Sequence, residues 1–200
     1  MQFIVPLSGY SVPSVSPALA VASALKRDDD TIIAVSVEPK DSPVLEESLL
    51  YGADKAYRIA DKDMAGWNDS RTLSRILEAF VKYLDTEDYM IFTEVSESPF
   101  ASDVLPARLA SLLGSEQFYC VTNVSRSDWD FFACQDYGDE QRVCRVPPRS
   151  VIHVSRFDIE NERTDSKGGI ETLDRIDLGL GFYSVGESGA KMRYTVKGGE

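Results

Sequence analysis

The 200-residue chain has one histidine, His153, and three cysteines, Cys120, Cys134 and Cys144. A Ser-His-Asp triad or a multi-histidine metal centre would have to be built around that single histidine. It lies in the apolar run from Val151 to Val154, where a strand histidine is expected. Three cysteines without C-x-x-C spacing suggest reduced thiols in a cytosolic setting. Positive charge is scarce: 33 acids face 21 Lys plus Arg, for a net charge of −12. That argues against nucleic acid and anionic membrane as partners, since both need a basic surface. No apolar run approaches the ~18 residues of a membrane-spanning helix. The start, MQFIVPLSGY, has neither the basic segment nor the long apolar core of an export signal. Catalytic fingerprints are absent too. There is no G-x-x-x-x-G-K-[ST] loop, no G-x-G-x-x-G after the first strand, no SGGxDS loop and no G-x-S-x-G elbow. Carboxylates are many, yet no pair has a spacing that singles it out. Nothing positive marks the chain as an enzyme by itself.

What is present is a clear alternation. Hydrophobic residues at 43% and aromatics at 10% suit a globular chain. The length suits one domain. Phe3 to Val5 predict a first strand, ended by Pro6. Ser16 and Pro17 then read as N-cap and first position of an alanine-rich helix. Thr31 to Val37 predict a second strand. Pro43 to Tyr51 predict a helix closed by Gly52. Ala56 to Ile59 predict a third strand, and Thr72 to Leu84 an amphipathic helix. Tyr89 to Phe92 form a fourth strand, followed by a helix with leucines at 105, 109, 112 and 113 and a cap at Gly114. Four such repeats predict a right-handed, doubly wound parallel α/β unit. Shorter strands follow at 118–124, 129–135, 141–146 and 151–155. They predict an antiparallel extension over 116–147 and a last core strand. The tail, 171–200, reads as one short helix followed by little core pattern. Within it, Leu178, Leu180, Phe182, Tyr183, Met192 and Tyr194 would be left in water by a monomer, which points to an interface.

In an open parallel sheet, ligands sit beyond the carboxyl ends of the strands. Free N–H groups at a helix start favour an anion there. Residues 94–105 are therefore the first place to look for a ligand. The alternative is an ordinary strand-to-helix connection.

Several segments, in order, resemble the beta subunit of electron transfer flavoproteins. Ser16 to Lys26, SPALAVASALK, is similar to the family's Asn-Pro and alanine-rich helix. Ser36-Val37-Glu38-Pro39 is similar to its S-x-G-P. Leu49 to Ala56 resembles its A-x-x-x-GAD-[RK]-[AG]. Arg108 to Gly114 resembles its x-LAELLG. Asn161-Glu162-Arg163 and Ser166-Lys167-Gly168-Gly169-Ile170 resemble NEPRYPSLKGI. Asp177 to Leu180 and Ala190 to Arg193 resemble the C-terminal arm. The resemblance spans nearly the whole chain.

The resemblance implies an adenine nucleotide alpha hydrolase-like sheet in a single domain, 1–176, with an extended arm over 177–200. It implies a heterodimer with an alpha subunit that holds most of an FAD, and AMP bound in a structural role. The arm would wrap that alpha subunit or, in its absence, be mobile or pair with a second copy. Nucleotide-binding candidates are Leu7, Ser16, Val37, Ser98, Ala101, Ser102, Asp103 and Val104. Tyr10 is the flavin-proximal candidate. Asn161, Glu162, Arg163, Lys167 and Ile170 form the partner-docking loop. A cytoplasmic location is implied. The departures are specific. In the family's phosphate loop the glycine falls on Glu94 and a glutamine on Val104, with Glu97 and Asp103 between them and Arg108 the one base nearby. At ~4 Å each like-charge contact costs about 1 kcal/mol in water and about 4 at a partly buried site. AMP is thus expected to bind weakly or not at all. The family's docking leucine falls on Lys167, which cannot fill an apolar pocket cheaply. Its V-K-R after the first strand reads Val5-Pro6-Leu7 here. Two further readings stand beside the electron carrier: a stand-alone adenine-nucleotide-binding or sensor domain without a redox role, and a scaffold with a dead nucleotide site.

Overall fold

Strands that are apolar on both faces need cover on both, and the side chains here divide accordingly. A computed structural model describes residues 1–8, 11–38, 42–61, 69–94, 104–128, 130–155, 161–164 and 168–181. In strand β1 (Gln2–Leu7), Phe3, Val5 and Leu7 enter one core and Ile4 enters another. Strand β2 (Thr31–Val37) repeats the division, with Ile32 and Ala34 against Ile33 and Val35. Helices α1 (Pro17–Leu25) and α2 (Val44–Leu50) fill the first core with Leu19, Ala22, Leu25 and Leu45. Helices α3 (Ser70–Tyr83) and α4 (Val104–Leu113) fill the second with Ile76, Phe80 and Leu109.

The remaining strands are β3 (Lys55–Ile59), β4 (Tyr89–Glu94), β5 (Gln117–Ser127), β6 (Asp130–Asp136), β7 (Gln141–Val146), β8 (Ser150–Val154) and β9 (Ile170–Leu173). They form one sheet in the order β7-β6-β5-β8-β4-β1-β2-β3-β9. Every neighbouring pair from β5 to β9 is parallel, while β6 and β7 add an antiparallel ribbon. Phe131 of that ribbon packs edge-on against Phe3, with centroids 6.2 Å apart. Arg126 lies over the Phe131 ring and bonds Asp30 and the Leu25 carbonyl, so the ribbon is tied to the end of α1. The doubly wound sheet and the extension are as the sequence predicts.

The caps follow their local chemistry. Ser16 accepts from the Leu19 N–H, with Pro17 opening α1. Asp69 accepts from Arg71 and Thr72 and starts α3 two residues before the predicted Thr72. Gly52 has φ +110°, a backbone conformation that calls for glycine.

Three expectations are corrected. Pro6 does not end β1, which runs on to Leu7. The register with β4 stops at Ile4, so beyond it the strand is laddered only to β2 and Pro6's missing N–H is tolerated. Residues 170–173 form β9, parallel to β3, where a short helix and little core pattern are predicted. Four residues are too few for either period to register. Leu178 is not left in water: it is 8% exposed in the second core, and Leu180 packs against it.

Candidate functional site

The chain runs outward from β1 to β2 and β3, then returns to β4 on the other flank of β1. Such a reversal opens a crevice at the carboxyl ends of the two diverging strands. Leu7 ends β1 there and Glu94 ends β4. Alternation along β4 places Glu94 on the same face as Met90 and Phe92, the face covered by α1 and α2.

Glu94 reaches the head of α1. Ser16 Oγ donates to its Oε2 at 2.5 Å, and the Ala18 N–H donates to the same oxygen at 3.3 Å. Ser16 Oγ in turn accepts from the Leu19 N–H at 3.3 Å. The unsatisfied N–H groups and positive end of α1 are therefore met by a carboxylate of the same chain. Burial pushes the Glu94 carboxyl above its ordinary range, and the bonds from Ser16, Ala18 and Ser11 offset part of that rise.

On the same face, the ends of β2 and β3 carry a second polar group. Leu7 is registered with Ser36, and Ser36 with Arg58. Glu38 follows two residues after Ser36. Ser36, Glu38 and Arg58 are 1%, 4% and 7% exposed. Arg58 Nη2 donates to Glu46 Oε1 at 3.0 Å and to the Ser42 carbonyl at 3.2 Å. Among the described residues, Arg58 Nε, Ser36 Oγ and both Glu38 carboxyl oxygens have no hydrogen-bond partner. Burial raises the Glu38 carboxyl, and the neighbouring Ser42, Ser36 and Arg58 oppose the shift.

The segment 161–164 binds this region together. Asn161 Nδ2 donates to the Pro13 carbonyl at 2.7 Å and to the Ser16 carbonyl at 3.0 Å. Its backbone N–H donates to Ser14, and that of Thr164 donates to Leu50, both at 2.7 Å. Further along, the Gly169 carbonyl accepts from the Ala56 N–H. Residues 161–164 thus touch the entry of α1 and the end of α2, and Gly169 touches the start of β3. His153 lies on the opposite sheet face, 4% exposed, with Nδ1 3.1 Å from Thr93 Oγ1 and its ring stacked on Tyr119. It is a strand residue, as its apolar run predicts. Among the described residues, no three His, Cys, Asp or Glu side chains are grouped to hold a metal.

A family model, the electron transfer flavoprotein domain, matches residues 12–177. The chain belongs to the electron transfer flavoprotein family. Among curated proteins, no sequence matches it. The electron transfer flavoprotein motifs now have positions. Leu7 is buried at the end of β1, and Ser16 is buried with its hydroxyl on Glu94. Val37 points to the other face, packed against the second core. Val104 opens α4 with its side chain 44% exposed. Asn161 is clamped as described, Glu162 and Arg163 are exposed, and Ile170 opens β9 against the first core. Ser98, Ala101, Ser102, Asp103, Tyr10 and Lys167 lie outside the described residues.

Ser36, Glu38 and Arg58 are absent from the predicted site, and Glu94 enters it there only as a source of repulsion. A signal for both acids is in the sequence. Each stands where the electron transfer flavoprotein motif has glycine, in S-x-G-P and at the start of the phosphate loop. A buried carboxyl in place of a missing side chain, twice at the ends of the two strands that flank β1, marks the spot. Among the described residues no helix is long and apolar enough to cross a membrane.

Proposed function

We propose that this chain is a beta-type subunit of an electron transfer flavoprotein, pairing in the cytoplasm with an alpha subunit that carries the FAD. The observation that carries the reading is the Asn161 clamp. The NEPR-like segment belongs to the beta type, and here its asparagine makes two side-chain bonds that fix it against the α1 entry. The exposed Glu162 and Arg163 are then presented from a braced base, as a docking loop requires. When bound, FAD supplies the redox chemistry, and the protein contributes geometry and electrostatics. The alpha subunit holds most of that cofactor, and Tyr10 is this chain's candidate to approach the flavin. The arm beyond Leu180 wraps the alpha subunit. The AMP site is diverged. The family dehydrogenase contact is altered by Lys167, so the electron donor differs from the family's usual one.

The test is co-expression with the alpha-subunit reading frame from the same genome, followed by affinity purification. The expected result is a one-to-one complex with flavin absorbance, against a colourless chain when expressed alone. A chain that stays single in the presence of a folded alpha subunit would overturn the proposal in favour of a stand-alone domain.

A further inference from the structure

The family implies an adenine nucleotide at these strand ends, and the residues described do not fit its phosphate. A phosphate at the crevice needs free N–H groups or positive charge. The N–H of Ala18 is already committed, at 3.3 Å, to Glu94 Oε2. The hydroxyl of Ser16 is committed to the same oxygen at 2.5 Å. A second anion there would share its donors with a carboxylate and meet its charge. Two residues past Ser36, which is registered with Leu7, Glu38 is 4% exposed, and neither of its carboxyl oxygens has a partner among the described residues. Arg58, whose charge acts on it, already serves Glu46. Both acids occupy glycine positions of the family motifs, so both add bulk and negative charge where the family leaves open space.

We infer that Glu94, by taking the donors at the head of α1 from the position where the family's phosphate loop begins, makes this crevice reject phosphate-bearing ligands. Glu94 satisfies the start of α1 from within the chain. The fold then needs no nucleotide for stability. Val104 belongs to the same change: with no phosphate to hold, the first position of α4 has no need of a polar side chain. The inference rests on the family reading for the place of the nucleotide, and not on the alpha-subunit pairing, whose own test succeeds or fails separately.

The experiment uses the full chain, wild type and E94Q, titrated with AMP, adenosine and inorganic phosphate by calorimetry, with melting curves in parallel. E94Q keeps the shape and removes the charge, so its melting curve checks that it folds. The wild type is expected to show no AMP or phosphate binding at millimolar concentration and no rise in melting temperature. E94Q is expected to bind AMP at least about tenfold more tightly than the wild type, the effect of removing one like-charge contact. Adenosine, which has no phosphate, is expected to be indifferent to the substitution. Micromolar AMP binding by the wild type would overturn the inference. So would an E94Q protein that folds yet gains no AMP affinity, since something other than Glu94 would then exclude the phosphate.

Discussion

Gly168 gives the sharpest test of how the C-terminal segment is held. A Cβ built on it would lie 2.2 Å from the Asp54 carbonyl oxygen, 2.8 Å from Leu49 Cδ2 and 3.0 Å from the Asp54 carbonyl carbon. The leucine methyl can turn away; the carbonyl cannot. Asp54 donates its N–H to Ile32 at 2.9 Å, and its carboxylate takes the Ile32 N–H at 2.7 Å and Lys26 Nζ at 2.5 Å. G168A therefore has to push the 168–170 segment off β3 by nearly an ångström. That strains the bond from Ala56 to the Gly169 carbonyl and the start of β9. Overpacking costs about 1–3 kcal/mol, and a backbone obstacle puts the cost near the upper end, about 3 kcal/mol. At roughly 2–4 °C per kcal/mol for a chain of this size, the melting temperature should fall by about 6–12 °C. The adjacent G169A is the control. A Cβ there meets nothing within 4 Å, so it should stay within about 0.5 kcal/mol of wild type. Scanning calorimetry of the pair decides. Equal shifts for the two substitutions would refute the packing argument.

Other perturbations are equally specific. S16A removes the α1 cap, worth about 1 kcal/mol, and also the hydroxyl donor to Glu94, so a loss of about 2 kcal/mol is expected in urea titrations. The loss should be smaller in an E94Q background, and strict additivity would sever the link between them. Burial raises the Glu38 carboxyl above 4.5, so the folded state holds that proton more tightly than the unfolded chain, and its contribution to stability grows as pH falls towards 4.5. E38Q should raise the melting temperature at about pH 8, with the gain shrinking towards about pH 5; a pH-independent difference would contradict the buried, unpartnered carboxyl. N161A deletes two bonds to carbonyls and should cost about 1–3 kcal/mol while speeding proteolysis near residue 161. Deleting 182–200 should leave the melting temperature nearly unchanged, because Leu178 and Leu180 remain, but abolish co-purification with the alpha subunit.

The parallel core was legible because its signal is local. Runs such as Ile32 to Val35 and Met90 to Phe92 are apolar on both faces, and only buried parallel strands require that. Ser16 before Pro17 and Gly52 after Tyr51 are caps whose chemistry is complete within a few residues. What stayed hidden depends on distant partners. The bond from Ser16 to Glu94 spans 78 positions, so the sequence shows only two polar residues in different loops. Read alone, Glu94 counts as repulsion; in the folded chain it is the partner of a helix terminus. Pro6 is hidden for the same reason, since whether it breaks a strand depends on where the neighbouring register stops. Strand β9 is too short to announce itself and is specified mainly by the edge it joins.

That late strand has a consequence for the order in which the molecule can be assembled. Synthesis delivers β1 to β4 first, yet the central gap beside β4 is filled only by β8, and the rim beside β3 only by β9. Until residue 173 has emerged, the edge Lys55–Ile59 offers unpaired N–H and C=O groups to any passing strand. A nascent chain is thus open to mispairing from the emergence of β3 until that of β9. A product that stops before residue 170 would carry that open rim permanently, so truncated translation products should aggregate through β3 while the finished chain does not.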